Sequence, residues 1–471
     1  MVFSSHIFLF YFLPLSLLLY YSMPQRARNI ILTGISYVFY GWSNPFFCLL
    51  MLFSTVVDYG CGLVIGKAGL NQRRKKGALL VSISTNLMLL GFFKYSGFAL
   101  ESYNQLFYSL GLEGFEPAPV LHFLLPLGIS FYTFQSMSYT IDVYRNDSKY
   151  ISNFVDFACF VSMFPQLVAG PIIRFKEIAE QLQYRSHTLE KFSRGAAFFT
   201  LGMAKKVLIA NPCGKVADIT FSASSLSVAD SWFGATAYSF QIYFDFSGYS
   251  DMAIGLGLMF GFVFAKNFDS PYLSSSITEF WRRWHISLST WLREYLYIPL
   301  GGNRSGSSTR TAINIGIVML LGGLWHGASW NFVIWGGLHG AYLGIERMMG
   351  KRPIYFVLPY PLRILITFIL VMIAWVFFRS DTLSGALSYL KSMFGLSAAP
   401  ETSLLIGGLL YTPYNLLAVG IAGLVVWFAP QSWDWSREIS RAKVLLIIMV
   451  FSLTVAVLSV QSYNPFIYFN F

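Results

Sequence analysis

The sequence predicts an all-α membrane protein with about 10–12 transmembrane or re-entrant helices in a ring around an internal chamber. Hydrophobic residues make up 55% of the 471 residues and charged residues only 12%, whereas about a quarter of a soluble chain is charged. Apolar stretches recur along the whole chain, at residues 7–21, 78–93, 234–244, 364–377 and 444–460. Since one crossing needs roughly 20 apolar residues, these stretches indicate repeated passage through the bilayer.

Prolines and glycines interrupt several of the apolar stretches. Two examples are Leu-Pro-Leu-Gly at 125–128 and the segment 164–171, which contains Pro165, Gly170 and Pro171. A broken helix at membrane depth needs a protein-lined or wet cavity around its freed backbone groups, and this need predicts the chamber. No long polar linker separates the apolar stretches, so we expect a single membrane domain over residues 1–471.

The basic charge of the chain indicates membrane topology rather than nucleic-acid binding. The formal net charge is +11, and two of its clusters, Arg26 with Arg28 and residues 73–76, abut apolar spans. The positive-inside rule places both clusters in the cytoplasm and the N-terminus outside. The first 22 residues lack a basic leader and a small-x-small cleavage pattern, so we expect a retained helix. The expected partner of the basic residues is therefore membrane lipid.

Metal binding and redox chemistry are not indicated by the cysteines. The four cysteines are scattered and have neither zinc-site nor redox spacing, and packing is their expected role. They are Cys48, Cys61, Cys159 and Cys213. The sequence therefore predicts no metal site.

Residues 279–295 form the most informative polar stretch. At helical spacing, one apolar face carries Trp281, Trp284, Leu288, Trp291 and Tyr295. His285 lies at the margin of this face. We therefore expect one interfacial helix in which His285 points toward protein or lipid rather than bulk water.

The charged residues of this stretch allow two interpretations. Glu279 can pair with Arg282 or Arg283 one turn later, and Arg293 with Glu294 adds further local charge. The arginines either meet lipid headgroups or hold an anionic ligand such as a CoA phosphate. The sequence leaves both interpretations open.

His326 is the leading candidate for a catalytic residue. It lies in the apolar run 320–331 without a compensating charge nearby in the sequence, and an ionisable side chain in a span is costly unless it serves a function. Glycines flank it and allow a backbone or a ligand to approach closely. His339 lies well off the face of His326 at about 100° per residue. A joint metal site on one helix is therefore disfavoured, and we expect His339 to pack or to form a hydrogen bond.

Two carboxylates, Asp245 and Asp251, intrude into an apolar segment around Gly248. Such residues can line a cavity, orient a histidine or bind a cation, or they can cap a helix that ends near Gly248. Capping is the favoured interpretation for Asp251.

Several motifs in this order resemble the membrane-bound O-acyltransferase family. They are Asn-Phe-Asp-Ser-Pro-Tyr at 267–272, residues 279–285, Tyr-Ile-Pro-Leu-Gly-Gly-Asn-Arg at 297–304, and Leu-Trp-His-Gly at 324–327. Residues 125–135, 164–174 and 243–255 also resemble the bacterial branch of alginate and peptidoglycan O-acetyltransferase membrane subunits. The similarity therefore spans most of the chain.

The resemblance implies a helical ring around a funnel that joins a cytoplasmic donor, acetyl-CoA, to an extracytoplasmic polysaccharide acceptor. The family's catalytic histidine maps onto His326, and its second polar position, histidine or asparagine, maps onto His285. A histidine suits the task, because its ordinary pKa of about 6.5 matches a general base at neutral pH. This chain has no soluble module with a serine-hydrolase-like triad. A separate periplasmic acetyltransferase partner and a location in the bacterial inner membrane are therefore expected.

The end of the chain, residues 462–471, is unusually aromatic. Taken alone, it indicates an interfacial anchor. It also resembles the C-terminal end of the small membrane peptide of teichoic-acid D-alanylation systems, in which a tyrosine is proposed to carry the acyl group. The resemblance implies that Tyr468 receives the acetyl group and passes it to a partner.

The predicted site combines these residues. The predicted catalytic residues are His326, His285 and Tyr468. The predicted substrate-binding residues are Arg282, Arg283, Trp284, Trp325, Asn331 and Asp245. No tightly bound cofactor is predicted. Two functions of other classes stay open, a transporter or a scaffold of a polysaccharide-export complex, since broken helices and buried charges also mark translocation pathways.

Overall fold

A computed structural model describes residues 1–67, 69–111, 123–304, 306–350, 352–397 and 403–467 of the chain. Helix accounts for 76% of the structure, and no β-strand occurs in these ranges. The prediction of an all-α fold is therefore confirmed.

The chain groups into two compact units. Unit 1 comprises Met1–His187, Phe260–Val263 and Gly327–Ser329, and unit 2 comprises Thr188–Met259, Phe264–His326 and Trp330–Phe471. The single domain over residues 1–471 stays a prediction.

The α-helices of unit 1 lie in its first 187 residues. They are α1 (Leu13–Ser22), α2 (Arg28–Gly41), α3 (Phe46–Gly66), α4 (Gln72–Leu90), α5 (Ser96–Ser109), α6 (Ile129–Arg145), α7 (Phe154–Ser162), α8 (Phe164–Leu167) and α9 (Phe175–Gln183).

The α-helices of unit 2 follow from residue 189. They are α10 (Leu189–Ala204), α11 (Asn211–Phe221), α12 (Val228–Met259), α13 (Ile277–Arg283), α14 (Ile286–Leu292), α15 (Ser308–His326), α16 (Trp330–Met348), α17 (Tyr360–Arg379), α18 (Leu383–Met393), α19 (Ser403–Leu410), α20 (Pro413–Phe428), α21 (Ser432–Trp435) and α22 (Arg441–Val460). A π-helical segment, Lys205–Ala210, joins α10 to α11.

Within the residues that the structure describes, four helical runs are long and apolar enough to cross a bilayer, by length and composition. They are Phe46–Gly66, Gln72–Ser109, Tyr360–Arg379 and Arg441–Val460. Two shorter apolar helices are Phe8–Ser22 and Pro413–Phe428. The predicted multi-pass membrane character is therefore confirmed.

The helix breaks predicted from proline and glycine in unit 1 are confirmed. Residues 123–128 lack helix before α6 begins at Ile129, and α8 spans only Phe164–Leu167. The chain between α8 and α9 is buried at residues 168–173 although it is not helical. Buried irregular backbone of this kind occurs at membrane depth only where protein or a cavity surrounds it.

Helix α12 runs unbroken for 32 residues through Gly248, and both intruding carboxylates lie in its interior. The prediction that Asp251 caps a helix is therefore wrong. Instead Asp251 accepts a hydrogen bond from Lys205 Nζ at 2.7 Å and another from Ser432 Oγ at 2.8 Å. The Asp251 carboxylate is therefore paired with side chains, and not with the free backbone N–H groups at the start of a helix.

Candidate active site

The polar stretch 279–295 is two helices and not one. Helix α13 ends at Arg283 and α14 begins at Ile286, and His285 between them has a left-handed backbone with φ of 42°. The prediction of a single interfacial helix through this stretch is therefore wrong. A left-handed conformation in a residue other than glycine costs roughly 1–2 kcal/mol, and such strain concentrates at functional sites. The predicted burial of His285 is confirmed, since its side chain is fully buried.

Hydrogen bonds to residues 267–269 stabilise the break between α13 and α14. The amide of Asp269 donates to Arg283 O at 2.9 Å, and the amide of Ile286 donates to Asn267 O at 2.9 Å. These bonds use backbone groups that a continuous helix would have paired within itself. The segment 267–269 therefore pairs with the backbone groups on both sides of His285.

The side chain of Asn267 determines which nitrogen of His285 carries the proton. Asn267 Oδ1 accepts a hydrogen bond from the backbone N–H of Ser287 at 3.2 Å, so this atom is the oxygen of the amide. The same oxygen lies 3.2 Å from His285 Nδ1, which must then be the N–H donor. In the neutral ring, Nε2 is consequently a hydrogen-bond acceptor, and it has no hydrogen-bond partner among the described residues.

His326 is the last residue of α15, which packs closely on α16. A Cβ atom at Gly323 would overlap the carbonyl oxygen of Phe332, and one at Gly336 would overlap that of Met319. The predicted close backbone approach beside His326 is therefore confirmed. This close packing fixes the end of α15 and with it the backbone of His326.

The two histidines come together in unit 2. The ring centroids of His285 and His326 are 6.5 Å apart. His326 also packs edge-on against Trp335 at 5.1 Å and Phe378 at 5.3 Å, and it is 5% exposed. A buried, aromatic-walled pair of imidazoles can bind a hydroxyl group, accept its proton and keep bulk water away from the reaction.

Helix α16 orients α13 through a carboxylate that the sequence analysis missed. Glu346, which is buried, accepts hydrogen bonds from the amides of Ile277 at 2.8 Å and Thr278 at 2.9 Å, and one from Thr278 Oγ1 at 2.6 Å. A carboxylate at a helix N-terminus satisfies free N–H groups and complements the helix dipole. Glu346 lies far along the chain from Ile277 and Thr278, so no local sequence motif indicates this contact.

His339 also contributes to the position of α13. Its Nδ1 accepts a hydrogen bond from Trp281 Nε1 at 3.2 Å, and its ring is fully buried. The expected hydrogen-bonding role is therefore confirmed.

The predicted arginines have different surroundings. Arg283 pairs with Glu279 at 2.7 Å, as the helical spacing predicted, and donates to Asp269 O at 3.3 Å. Although burial opposes its charged form, hydrogen bonds from Ser275 and the ion pair with Arg283 hold the pKa of Glu279 below its ordinary value.

Arg282 instead lines a 440 Å³ cavity together with Arg293. Arg282 is thus the better placed of the predicted pair to meet an anionic group.

Three further predicted binding residues differ in their contacts. Trp284 is a core residue, with its ring 5.0 Å from Trp375 and 5.1 Å from Phe268. The ring of Trp325 lies 5.0 Å from that of His326. Asn331 is buried and donates from Nδ2 to Ser380 O at 2.5 Å. Trp325 is therefore the member of this group whose ring packs beside that of His326.

Asp245 binds the C-terminal segment of the chain. Its Oδ1 pairs with Lys206 Nζ at 2.5 Å, and its Oδ2 accepts the backbone N–H of Ile467 at 2.9 Å. Lys206 Nζ also donates to the carbonyl of Pro465, and both charged side chains are almost completely buried. These contacts hold residues 465–467, and we call the ion pair of Lys206 with Asp245 the tail clamp. The substrate-binding role of Asp245 stays a prediction.

Further contacts fasten residues 463–466 of this segment. Tyr463 Oη donates to Asp218, and Asn211 Nδ2 donates to Asn464 Oδ1 at 3.2 Å. The ring of Phe466 packs 4.4 Å from that of Tyr249. Tyr468 lies outside the described residues, and its catalytic role stays a prediction.

Known proteins resemble the chain over the region that holds both histidines. The model of the membrane-bound O-acyltransferase (MBOAT) family matches residues 85–382. The protein named "Probable alginate O-acetylase AlgI" of Pseudomonas putida is 46% identical and covers 100% of both chains. A peptidoglycan O-acetyltransferase of Helicobacter pylori is 39% identical over 84% of this chain and 80% of its own. A teichoic acid D-alanyltransferase of Streptococcus thermophilus is 31% identical over 47% of this chain and 56% of its own.

Proposed function

The chain belongs to the membrane-bound O-acyltransferase family and is a multi-pass membrane O-acyltransferase, and from this premise we propose that it moves acetyl groups from cytoplasmic acetyl-CoA toward an extracytoplasmic polysaccharide. An alginate-type exopolysaccharide is the favoured acceptor, because relatives that match over their full length are named as alginate O-acetylases. Peptidoglycan and a cellulose-like glycan are further candidates. The bacterial inner membrane is the compartment where such a donor and acceptor meet.

The observation that carries the proposal is the buried pair of histidines. The His285 and His326 rings lie 6.5 Å apart, and the hydrogen bond to Asn267 leaves His285 Nε2 as an acceptor. In the proposed step, a hydroxyl oxygen forms a bond to the thioester carbonyl carbon and the carbon–sulfur bond breaks. His326 takes the hydroxyl proton and returns it to the departing CoA sulfur. His285 orients the reactants by accepting, through Nε2, a hydrogen bond from a group other than the attacking hydroxyl, whose one proton goes to His326.

Release of free CoA tests the proposed function against a transporter or a scaffold. The purified full-length protein in detergent is expected to release CoA from acetyl-CoA when an acceptor hydroxyl is present. A thiol-reactive dye measures the CoA, and boiled protein gives the background. In cells, the O-acetyl content of extracellular glycan and cell wall is expected to rise with the protein and to identify the acceptor. CoA release at the background rate together with unchanged O-acetyl content would favour a transporter or scaffold.

Tyr468 is proposed as an acyl relay, and Tyr468→Phe is expected to reduce O-acetylation in cells to the level of the empty vector. The tail clamp supports this proposal, because it holds the backbone of Ile467, the residue immediately before Tyr468. A phenylalanine keeps the aromatic ring but removes the oxygen that would carry the acetyl ester. The measurement is glycan O-acetyl content at matched membrane levels.

A control substitution separates the relay from general effects of losing a phenol. Tyr108→Phe changes a tyrosine that is 89% exposed, and full O-acetylation is expected. If Tyr468→Phe also retained full O-acetylation, the acetyl group would pass directly to the partner and the relay would be abandoned.

A further inference from the structure

Two arginines of unit 1 converge on one tyrosine without a carboxylate between them. Arg185 Nε donates to Tyr20 Oη at 2.9 Å, and the Arg28 guanidinium lies 5.3 Å from the centre of the same ring. Neither arginine has a carboxylate within salt-bridge distance among the described residues. Like charges held this close repel each other unless an anion or solvent compensates them.

A histidine connects the arginines into one network. His187 Nδ1 accepts from Arg28 Nη1 at 3.0 Å, so Nε2 carries the proton and donates to Tyr20 Oη at 2.9 Å. Tyr20 Oη in turn donates to Phe260 O at 2.8 Å. This chain of bonds places both guanidinium groups and includes no carboxylate from the part of the chain that the structure describes.

The surrounding residues hold the arginines without neutralising them. Arg185 stacks on Phe262 with its guanidinium carbon 4.3 Å from the ring centre, and Arg28 also lies 5.5 Å from the centre of Tyr21. Asp156, on the neighbouring helix α7, accepts a hydrogen bond from Asn29 at 2.6 Å instead of pairing with either arginine. No hydrogen bond of either Nη2 group occurs among the described residues.

A cavity of 330 Å³ opens beside these groups. Its walls include Arg28, Arg185 and His187, together with Gln25 and Tyr184. Planar guanidinium groups are the preferred partners of phosphate oxygens, since each offers a fork of N–H donors. We call the cavity and its three basic side chains the arginine pocket.

We propose that the arginine pocket binds a phosphate group, either that of an anionic phospholipid headgroup or that of a soluble phosphate compound. The pocket lies where apolar α1 ends and α2 begins with Arg28, and basic residues beside an apolar helix are typical contacts of lipid phosphate. The site is separate from the paired histidines and does not depend on the proposed acetyl transfer.

Chemical labelling of the unaltered protein tests the proposal. Full-length protein in maltoside micelles without phospholipid is treated with phenylglyoxal, which modifies guanidinium groups, and the adducts are located by peptide mass spectrometry. Phosphatidylglycerol or inorganic pyrophosphate is added in parallel samples, and diacylglycerol is the control amphiphile without phosphate. We expect loss of labelling at Arg28 and Arg185 with one of the phosphate compounds, whereas exposed Arg26 stays labelled.

The two phosphate arms identify the source of the ligand. Protection by phosphatidylglycerol alone identifies a lipid headgroup, and protection by pyrophosphate identifies a soluble phosphate. Equal labelling in all samples, or protection by diacylglycerol, would overturn the proposal.

A variant gives a second, independent measurement. Arg28→Gln/Arg185→Gln is expected to lose bound phosphatidylglycerol in native mass spectrometry, or to lose the thermal stabilisation by pyrophosphate, relative to wild type. Arg26→Gln, two residues from Arg28 and exposed, is the matched control and should behave as wild type. Wild-type binding by the double variant would assign both arginines to packing alone.

Discussion

His326→Ala is expected to abolish acetyl transfer while the protein remains at normal levels in the membrane. Removal of a general base costs about 10²–10⁴-fold in rate, which would bring O-acetylation close to background. The physical reason is the position of His326, buried at the end of α15 with its ring 6.5 Å from that of His285. The measurement is O-acetyl content of glycan, together with release of free CoA by the purified variant.

A second buried histidine provides the control for this substitution. His339→Asn changes a fully buried imidazole in the same unit whose described hydrogen bond is to Trp281 and not to a reacting group. We expect this variant to lower the unfolding temperature and to retain transfer. Substantial O-acetylation by His326→Ala would contradict the assigned chemistry and favour the transporter or scaffold.

Substitutions at His285 distinguish orientation from proton transfer. Asparagine tolerates a left-handed backbone and supplies an acceptor oxygen, so His285→Asn is expected to retain part of the activity. Alanine supplies no acceptor, and His285→Ala is expected to lose more. Equal activity of the two variants would show that the acceptor at Nε2 is not used.

Loss of the tail clamp is expected to reduce transfer by about 10²-fold, which is the effect of a small displacement of a reacting group. This expectation rests on the proposed relay, because the clamp holds the backbone on the N-terminal side of Tyr468. Lys206→Met or Asp245→Leu alone leaves an unpaired buried charge and should destabilise the protein by about 3–5 kcal/mol. The single variants therefore report mainly on folding.

The double variant Lys206→Met/Asp245→Leu separates folding from positioning. Replacement of both charges by apolar groups of similar size is often neutral for stability, so we expect the unfolding temperature to recover and O-acetylation to stay low. The matched control is Lys205→Met/Asp251→Leu, which removes the adjacent 2.7 Å ion pair between the same two elements. Its described hydrogen bonds reach Ser432 and not the C-terminal segment. Wild-type transfer by the clamp double variant would show that residues 465–467 need no fixed position.

Apolar runs and helix breakers were sufficient to predict the helical membrane class. The stretches 364–377 and 444–460 lie within α17 and α22, because a long apolar segment in lipid must pair its backbone groups internally. The interruptions at Pro126 and Pro165 were also predicted. Proline lacks an N–H donor, so its effect on a helix is local and visible in the sequence.

The interruption at His285 could not be predicted in the same way. Arg-Trp-His-Ile contains no helix breaker, and its amphipathic spacing is compatible with a continuous helix. The break depends on hydrogen bonds between residues 267–269 and 283–286, which arise only once the chain has folded. Tertiary contacts have here outweighed local helix propensity.

The candidate catalytic residues were easier to predict than the residues that position them. His326 was identifiable because an ionisable group in apolar surroundings is unusual, and His285 was identifiable through the resemblance of residues 279–285 to the family motif. Asn267, Lys206 and Glu346 act through partners 18 to 259 residues away in the chain. Buried networks of this kind leave no periodic pattern, so their members resemble ordinary polar residues until the fold brings them together.

The left-handed backbone of His285 bears on attempts to engineer this enzyme. Glycine adopts that conformation without strain, so selection for thermal tolerance alone would favour glycine at position 285 and discard the imidazole. Stabilising substitutions often reduce activity where a strained residue does chemical work. Libraries for expression or crystallisation should therefore hold this position constant, and we expect a stabilised variant that carries glycine there to lose transfer activity.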